Sequence, residues 1–364
     1  MFEQNAKGWI PCHLHHYSLG QAFSVGAYNV GQTRKYTPIV RRELELSNRL
    51  KTLKNAGATH IEFEFDFDST MTHEDDAKII KKVASDLELK VGVVIVNFYK
   101  GRPEYAEGNF AHHDAKVRDL AVEDAKECIN FCLSLDAPLC RCLSKPNGPR
   151  IRQGVSYVDL IRWKVDSLNQ VLHWTWGLHV ERSPAIILES RHNESTMLGF
   201  PATVGDIVQM CGMVNSPVRH LVGGCPELDQ EVTNGSNFAM ALTQLHLTGK
   251  LFHLYLSGAT GKPTFPADLP FGSENPLDAF ETVWQLTELD YHGLLGINIQ
   301  PRPTDSIEQY ASAIKHSIRN FEIFLCKVKS AMNTTSLFEL SCLRATGNQT
   351  EIEHYFAEIM SSPT

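Results

Sequence analysis

Eight short apolar runs, each followed by a longer segment with helical spacing, constrain this chain more than any other feature. The runs are 9–17, 59–68, 91–96, 139–143, 185–188, 218–222, 251–256 and 294–299. The run Ala185–Leu188 is continuously apolar, as in a strand buried on both faces of a parallel sheet. Helical spacing is read at 38–56, 74–87, 114–135, 157–176, 206–214, 238–248 and 277–289. Such alternation predicts a parallel sheet with crossover helices. Eight units in one chain favour an α/β fold of the (β/α)8 type over an open doubly wound sheet. The sequence carries neither G-x-G-x-x-G nor a Walker A motif, which removes the dinucleotide-binding reading. The barrel is expected over 1–306, with a C-terminal helical extension over 307–364.

Composition narrows the class of partner. The 364 residues are 43% hydrophobic and 21% charged, as in a globular protein. Net charge is −8 with scattered basic residues, which argues against nucleic acid. No apolar run approaches the ~20 residues needed to span a bilayer. The N-terminal residues lack the apolar centre of a signal peptide, so no membrane is expected and the cytoplasm is the default. The cysteines number nine, an odd count in a long chain. Cys128 and Cys132 share a helix face, and Cys140 and Cys142 a strand face, as buried thiols would.

Three segments gather polar chemistry. The run Ala185–Leu188 delivers Glu189, followed at once by Arg191, His192, Asn193 and Glu194. In a barrel of parallel strands, polar groups at strand C-terminal ends handle ligands, although an ordinary solvated loop has the same composition. The first run ends in His13-Leu14-His15-His16, where His13 and His15 share a face at a spacing that two metal-ligating imidazoles can use. Two histidines make only a partial site, and a polar strand end is the favoured reading. In the second run Glu62, Glu64, Asp66 and Asp68 alternate with Phe63, Phe65 and Phe67. Phenylalanines facing the covering helices put the acids inside, where several carboxylates need cations or raised pKa values.

At this point five motifs in order resemble the xylose isomerase family. Leu188-Glu-Ser-Arg-His-Asn-Glu-Ser195 resembles its I-E-P-K-P-N-E-P, and Pro226-Glu227, Gln230-Glu231 and Asn237-Phe238 resemble N-P-E-x-G-H-E…N-F. Gly249–Gly258 is similar to G-K-L-F-H-I-D-L-N-G, Asp268–Gly272 to D-L-R-F-G, and Ile297–Pro301 to F-D-F-K-P. The likeness covers roughly residues 40–330 and implies a TIM barrel. It also implies a sugar isomerase that works at a pair of divalent cations. Of the family's ligand positions, Glu189, Glu227 and Asp268 are kept. Gln230 stands where the family has histidine, and Tyr255, Pro266 and Asn298 where it has aspartate. Arg191 takes the place of the lysine that polarises the substrate carbonyl. The histidine that handles the ring oxygen falls near Glu64, and a pocket tryptophan near Leu143. The family's C-terminal extension embraces a neighbouring subunit, and an early-loop aromatic, here Phe23, enters the adjacent site. A homodimer or homotetramer is therefore expected.

These exchanges tell against ordinary two-metal chemistry. Mg²⁺ and Mn²⁺ are hard ions held mainly by carboxylate oxygens, and Pro266 offers no side-chain oxygen. A hydride shift needs both substrate oxygens polarised together, and arginine's fork does not replace lysine's point contact. What remains is a single weakly held Mg²⁺ or Mn²⁺ between Glu189, Glu227 and Asp268, or no metal. Glu64, Arg191 and His253 are the expected catalytic residues, with Glu64 and His253 as an acid–base pair. His15, Asn97, His192, Tyr255 and Asn298 are expected to bind a small-molecule substrate. His253 also matches a histidine of the family motif and fits a core role. Two functions stay open. One is a divergent enzyme acting on a small polyhydroxylated or carbonyl compound; the other is a non-catalytic binding or scaffold barrel. The amount of ionisable chemistry favours the first.

Overall fold

The alternation in the sequence becomes a ring of parallel strands. The computed structural model describes residues 2–5, 8–11, 18–27, 45–65, 73–98, 102–143, 156–179, 182–191, 199–260, 268–300, 305–332 and 334–362. Strands β1 (Phe2–Asn5) and β2 (Gly8–Pro11) form an antiparallel hairpin of their own. The barrel strands are β3 (Phe23–Gly26), β4 (His60–Glu64), β5 (Lys90–Asn97), β6 (Leu139–Leu143), β7 (Ala185–Leu188), β8 (Val222–Gly224), β9 (Leu254–Leu256) and β10 (Leu295–Ile297). Their order is β8-β7-β6-β5-β4-β3-β10-β9, and every pairing is parallel. Parallel bridges Gly224–Leu251 and Glu227–Tyr255 join the two ends of that order and close the ring. This is a (β/α)8 barrel.

The helices are α1 (Leu46–Asn55), α2 (His73–Asp86), α3 (Ala115–Ser134), α4 (Tyr157–Gly177), α5 (Val204–Met213), α6 (Leu228–Thr233), α7 (Phe238–Leu247), α8 (Pro276–Glu288), α9 (Ile307–Ala331), α10 (Thr334–Thr346) and α11 (Gln349–Ser361). Their starts follow polar caps. Asp114 accepts from the Lys116 amide ahead of α3, and capping boxes Thr203–Asp206 and Ser306–Gln309 open α5 and α9. Among the described residues no helix is long and apolar enough to cross a membrane.

Period-two alternation divides each strand between two cores. Val93, Ile95, Leu139, Ala185, Ile187, Phe252 and Tyr255 fill the barrel interior. Val94, Val96, Cys140, Cys142, Ile186 and Leu188 belong to the larger core under the helices. In that layer Cys128 of α3 brings its sulfur to 3.7 Å from Cys140 of β6, both as free buried thiols.

Two expectations at the N-terminus are corrected. The first barrel strand is β3, not 9–17. Gly8–Pro11 pairs instead with Phe2–Asn5, a local antiparallel partner reached by a short loop, and Pro11 has no N–H to give a sheet interior. His13, His15 and His16 lie outside the described residues. Phe23 is not a loop aromatic reaching another subunit. It is a β3 residue, 3% exposed, packed edge-on against Phe321 of α9 at 5.7 Å. The sixth strand also starts later than expected. Ser216–Leu221 is a 3-10 turn with a proline at its start, which leaves Val222–Gly224 for β8.

The last helices lie against their own barrel. Tyr310, Ile314, Phe321 and Leu325 of α9 are buried at helical spacing. Phe356 of α11 meets Trp284 of α8 edge-on at 5.0 Å.

Candidate functional site

The C-terminal ends of the strands carry a connected set of buried ionisable groups. Ser24 of β3 and Glu62 of β4 both point inward, and the Ser24 hydroxyl donates to Glu62 Oε1 at 2.7 Å. Tyr255 of β9 reaches across the interior to donate its hydroxyl to Glu62 Oε2 at 2.7 Å. His253 Nε2 lies 3.5 Å from Glu62 Oε1, an ion pair only when the imidazole carries a proton on both nitrogens. Its Nδ1 is 3.1 Å from the Leu294 carbonyl; a carbonyl only accepts, so Nδ1 carries the proton and Nε2 faces Glu62. Burial alone pushes the Glu62 pKa up. The His253 imidazole, the Arg141 charge and the Ser24 hydroxyl outweigh it, so Glu62 sits below its ordinary 4.5. Gly296 of β10 makes the crowding possible, because a Cβ there would overlap the Tyr255 ring.

Beside this group sits a pair of arginines on one carboxylate. Cys140 and Cys142 lie in the core under the helices, so Arg141 between them points inward, where it is 2% exposed. Its Nε donates to Glu189 Oε2 at 2.6 Å, and a terminal nitrogen donates to the same oxygen. Its guanidinium carbon lies 4.3 Å from the centroid of the Tyr255 ring, a cation–π geometry. Arg191 donates its Nε to the other oxygen, Glu189 Oε1, at 2.8 Å. Burial raises the Glu189 pKa, but the two guanidinium charges win and hold it below 4.5.

The third group behaves oppositely. Glu227, just past β8, is fully buried, and the Asn298 side-chain amide donates to its Oε1. Among the described residues its Oε2 has no hydrogen-bond partner. Burial first, then the charges of Asp268 and Glu189, push its pKa well above 4.5, against the weaker pull of Arg191 and Arg141. Asp268 takes a left-handed backbone, φ 44°, and its amide donates to Asp229 Oδ2 at 2.7 Å. Asp229 is fully buried and is steadied by the Thr233 hydroxyl at 3.2 Å. At the rim, Asn97 donates to Glu64 Oε1 at 2.8 Å.

The structure thus brings Glu189 to Arg191, Asn298 to Glu227, Asn97 to Glu64, and His253 to Tyr255. It does not pair Glu64 with His253. The alternation points both glutamates inward, but Glu62 lies one layer deeper, level with His253, and takes that contact. His15 and His192 lie outside the described residues, as does Pro266. Sequence reasoning missed Ser24 and Arg141. The signal for Arg141 was present: if Cys140 and Cys142 share the helix-facing side of a strand, the residue between them faces the lumen.

Comparisons with known proteins agree with this architecture. Residues 50–320 match the family model described as xylose isomerase-like TIM barrel. A xylose isomerase of Thermus thermophilus is 28% identical over 217 residues, 58% of this chain and 54% of that protein. A xylose isomerase of Thermus caldophilus matches over the same length at the same identity. The chain therefore spans about half the length of the curated relatives it matches. Among solved structures, a D-tagatose 3-epimerase-like protein superposes with a TM-score of 0.63 at 16% identity, over 86% of this chain and 100% of that one. An L-ribulose 3-epimerase gives 0.63 at 15% identity, over 85% and 95%. At such identities the structural likeness speaks for the fold alone.

Proposed function

The chain belongs to the xylose isomerase-like TIM barrel family, and from that membership we propose a divergent sugar isomerase or epimerase that moves a proton without a pair of metal ions. Its substrate is a small polyhydroxylated compound with a carbonyl group. The observation that carries this reading is Glu227. A fully buried carboxyl whose pKa is pushed well above 4.5 by burial and the neighbouring acids, with Oε2 unpartnered among the described residues, is suited to act as a general acid towards a ligand oxygen. Glu64, steadied by Asn97 at the rim, acts as the base and takes the proton from the carbon beside the carbonyl. Glu227 gives its proton to the carbonyl oxygen, which yields a neutral enediol. Glu64 returns the proton to the former carbonyl carbon while the Glu227 carboxylate takes the hydroxyl proton from the neighbouring carbon, which forms the new carbonyl of the isomer and restores both groups. An epimer forms when water on the opposite face protonates the original carbon, the first hydroxyl proton returns to Glu227 and Glu64 releases its proton to solvent. Arg191 orients a substrate oxygen, and Asn298 and Asn97 hold hydroxyls. His253, with Glu62, supports Tyr255 from below rather than touching substrate, because it is fully enclosed.

The cation pair implied by the resemblance fits these residues poorly. Both oxygens of Glu189 are engaged by arginines. The Tyr255 hydroxyl is turned to Glu62, and the Asn298 amide to Glu227. Hard divalent ions need carboxylate oxygens, and beyond Glu189 the kept ligand positions offer only Glu227 and Asp268. A non-catalytic barrel is the second reading, favoured by the degree to which Glu62, Tyr255, Arg141 and Glu189 satisfy one another. In either case a dimer or tetramer is expected, and light scattering that returns a monomer near 40.8 kDa at micromolar concentration would refute that part.

Proton NMR in D₂O decides between the two functions. The protein is incubated with a panel of aldoses, ketoses and keto-sugars in the presence of a chelator. Deuterium uptake at a carbon beside the carbonyl, lost in Glu64→Gln and Glu227→Gln, is the expected result. No exchange with any member would favour the scaffold. Xylose turnover that requires added Mg²⁺ and comes within a hundredfold of ~10 s⁻¹ would sink the metal-free reading.

A further inference from the structure

We propose that the Arg141 guanidinium is a built-in cation that occupies the place beside Glu189 which a divalent metal would need, so that the barrel mouth excludes such an ion. The placement is forced by the strand. Cys140 and Cys142 are buried in the core under the helices, which turns Arg141 between them inward, where it is 2% exposed. Two of its nitrogens donate to Glu189 Oε2. Arg191 closes the other oxygen. A metal that uses Glu189 must first displace a charge-assisted contact in which two guanidinium nitrogens share one carboxylate oxygen.

Tyr255 locks the arrangement. Its ring lies under the guanidinium at 4.3 Å, and its hydroxyl is held at 2.7 Å by Glu62 on the far side of the lumen. Gly296 leaves room for that ring on the adjoining strand. The guanidinium therefore has a carboxylate on its edge and an aromatic face beneath it, both fixed by further partners. Arginine keeps its charge at any working pH, so the exclusion does not depend on acidity. A divalent ion at Glu227 and Asp268 would meet this fixed positive charge in a water-poor interior, where repulsion is weakly screened. The inference rests on the metal-free reading of the site, but its readout is metal binding and not turnover. Lack of turnover with every sugar leaves it standing, and tight metal binding sinks it whether or not the protein is an enzyme.

The test is a Mn²⁺ titration of the full-length protein, with free Mn²⁺ counted by electron paramagnetic resonance. Wild type, Arg141→Met, Arg141→Lys and Arg141→Met/Glu189→Gln are compared after circular dichroism has confirmed folding. Wild type is expected to leave Mn²⁺ free up to ~1 mM, and Arg141→Met to bind one ion at least about tenfold more tightly. That gain should vanish in the double variant, and Arg141→Lys, which keeps a cation, should resemble wild type. A wild-type dissociation constant below ~0.1 mM overturns the proposal. So does a folded Arg141→Met protein that gains nothing, or an Arg141→Lys protein that gains as much as Arg141→Met. If Arg141→Met does not fold, the wild-type titration and Arg141→Lys decide on the same criteria.

Discussion

Replacing Glu227 by glutamine should raise stability relative to wild type by more at pH 7 than at pH 5. In the folded protein, burial together with the Asp268 and Glu189 charges keeps Glu227 protonated well above its ordinary 4.5. The unfolded chain releases that proton near 4.5. The folded state thus binds more protons than the unfolded state above that pH, and wild-type stability falls as pH rises towards the folded value. The slope approaches about 1.4 kcal/mol per pH unit over the range in which the unfolded chain has lost the proton and the folded protein keeps it. Glutamine has no proton to lose. It keeps an acceptor oxygen for the Asn298 amide, and its second N–H adds a cost of about 1–3 kcal/mol that does not vary with pH. The slope, not the offset, is therefore the readout. For a chain of 364 residues each pH unit of that slope corresponds to about 2 °C in Tm. Thermal unfolding of both proteins, followed by circular dichroism at pH 5, 6, 7 and 8, gives it directly. A Tm difference that stays flat across that range means Glu227 is ionised in the fold. A difference that shrinks with pH means Arg191 and Arg141 outweigh its burial. Either outcome removes the general acid on which the proposed chemistry depends.

Glu189→Gln should cost about 3–5 kcal/mol in urea unfolding, because it leaves the buried Arg141 charge without its carboxylate. Tyr255→Phe should cost about 2 kcal/mol, by removal of a buried hydrogen bond to a charged group. It should also move acid unfolding to higher pH. Glu62 has a depressed pKa, so its contribution is present above 4.5 and lost as pH falls through the folded value, and that value rises without the hydroxyl. A circular dichroism titration from pH 7 to pH 3 checks the shift. Truncation after Met332 should lower stability by at least about 2 kcal/mol, because it bares Trp284 and Phe280 where Phe356 now packs. An unchanged urea midpoint would show that α10 and α11 add nothing to the barrel.

The barrel was legible because its signal is periodic and repeated. Continuous apolar runs and helical spacing survive small errors of boundary, and β4 to β7 lie where the pattern puts them. The N-terminus was not, since Gly8–Pro11 and Phe23–Gly26 are equally short, and pairing geometry rather than residue type decides which joins the ring. The inward face of β4 was readable from its Phe/Glu alternation, and the approach of Arg191 to Glu189 from their neighbouring positions. Which glutamate meets His253 was not readable. Direction is a property of one strand, whereas depth depends on the relative register of β4 and β9 across the lumen. Arg141 was overlooked for a related reason. The outward face of β6 is set by Cys140 and Cys142, and the same alternation turns the residue between them inward.

The exchanges at the barrel mouth make sense together rather than singly. Set against the resembling motifs, Tyr255, Pro266 and Asn298 each stand where an aspartate is expected, so three negative charges are gone. A lumen built for two divalent cations and stripped of those cations alone would hold carboxylates that repel one another. Here the surviving acids are each dealt with by a different means. Glu189 is neutralised by Arg141 and Arg191, and Glu62 is stabilised by two hydroxyls and His253. Glu227 keeps its proton, and Asp229 accepts from the Asp268 amide and the Thr233 hydroxyl. Tyr255 serves two of these solutions at once, its hydroxyl on Glu62 and its ring under Arg141. An aspartate at 255 would supply neither and would add a charge. The loss of that ligand and the burial of the guanidinium are therefore one change in the electrostatics of the lumen. It leaves Glu227 as the buried carboxyl whose pKa is pushed well above 4.5, the acid that the proposed chemistry sets beside the rim carboxylate Glu64.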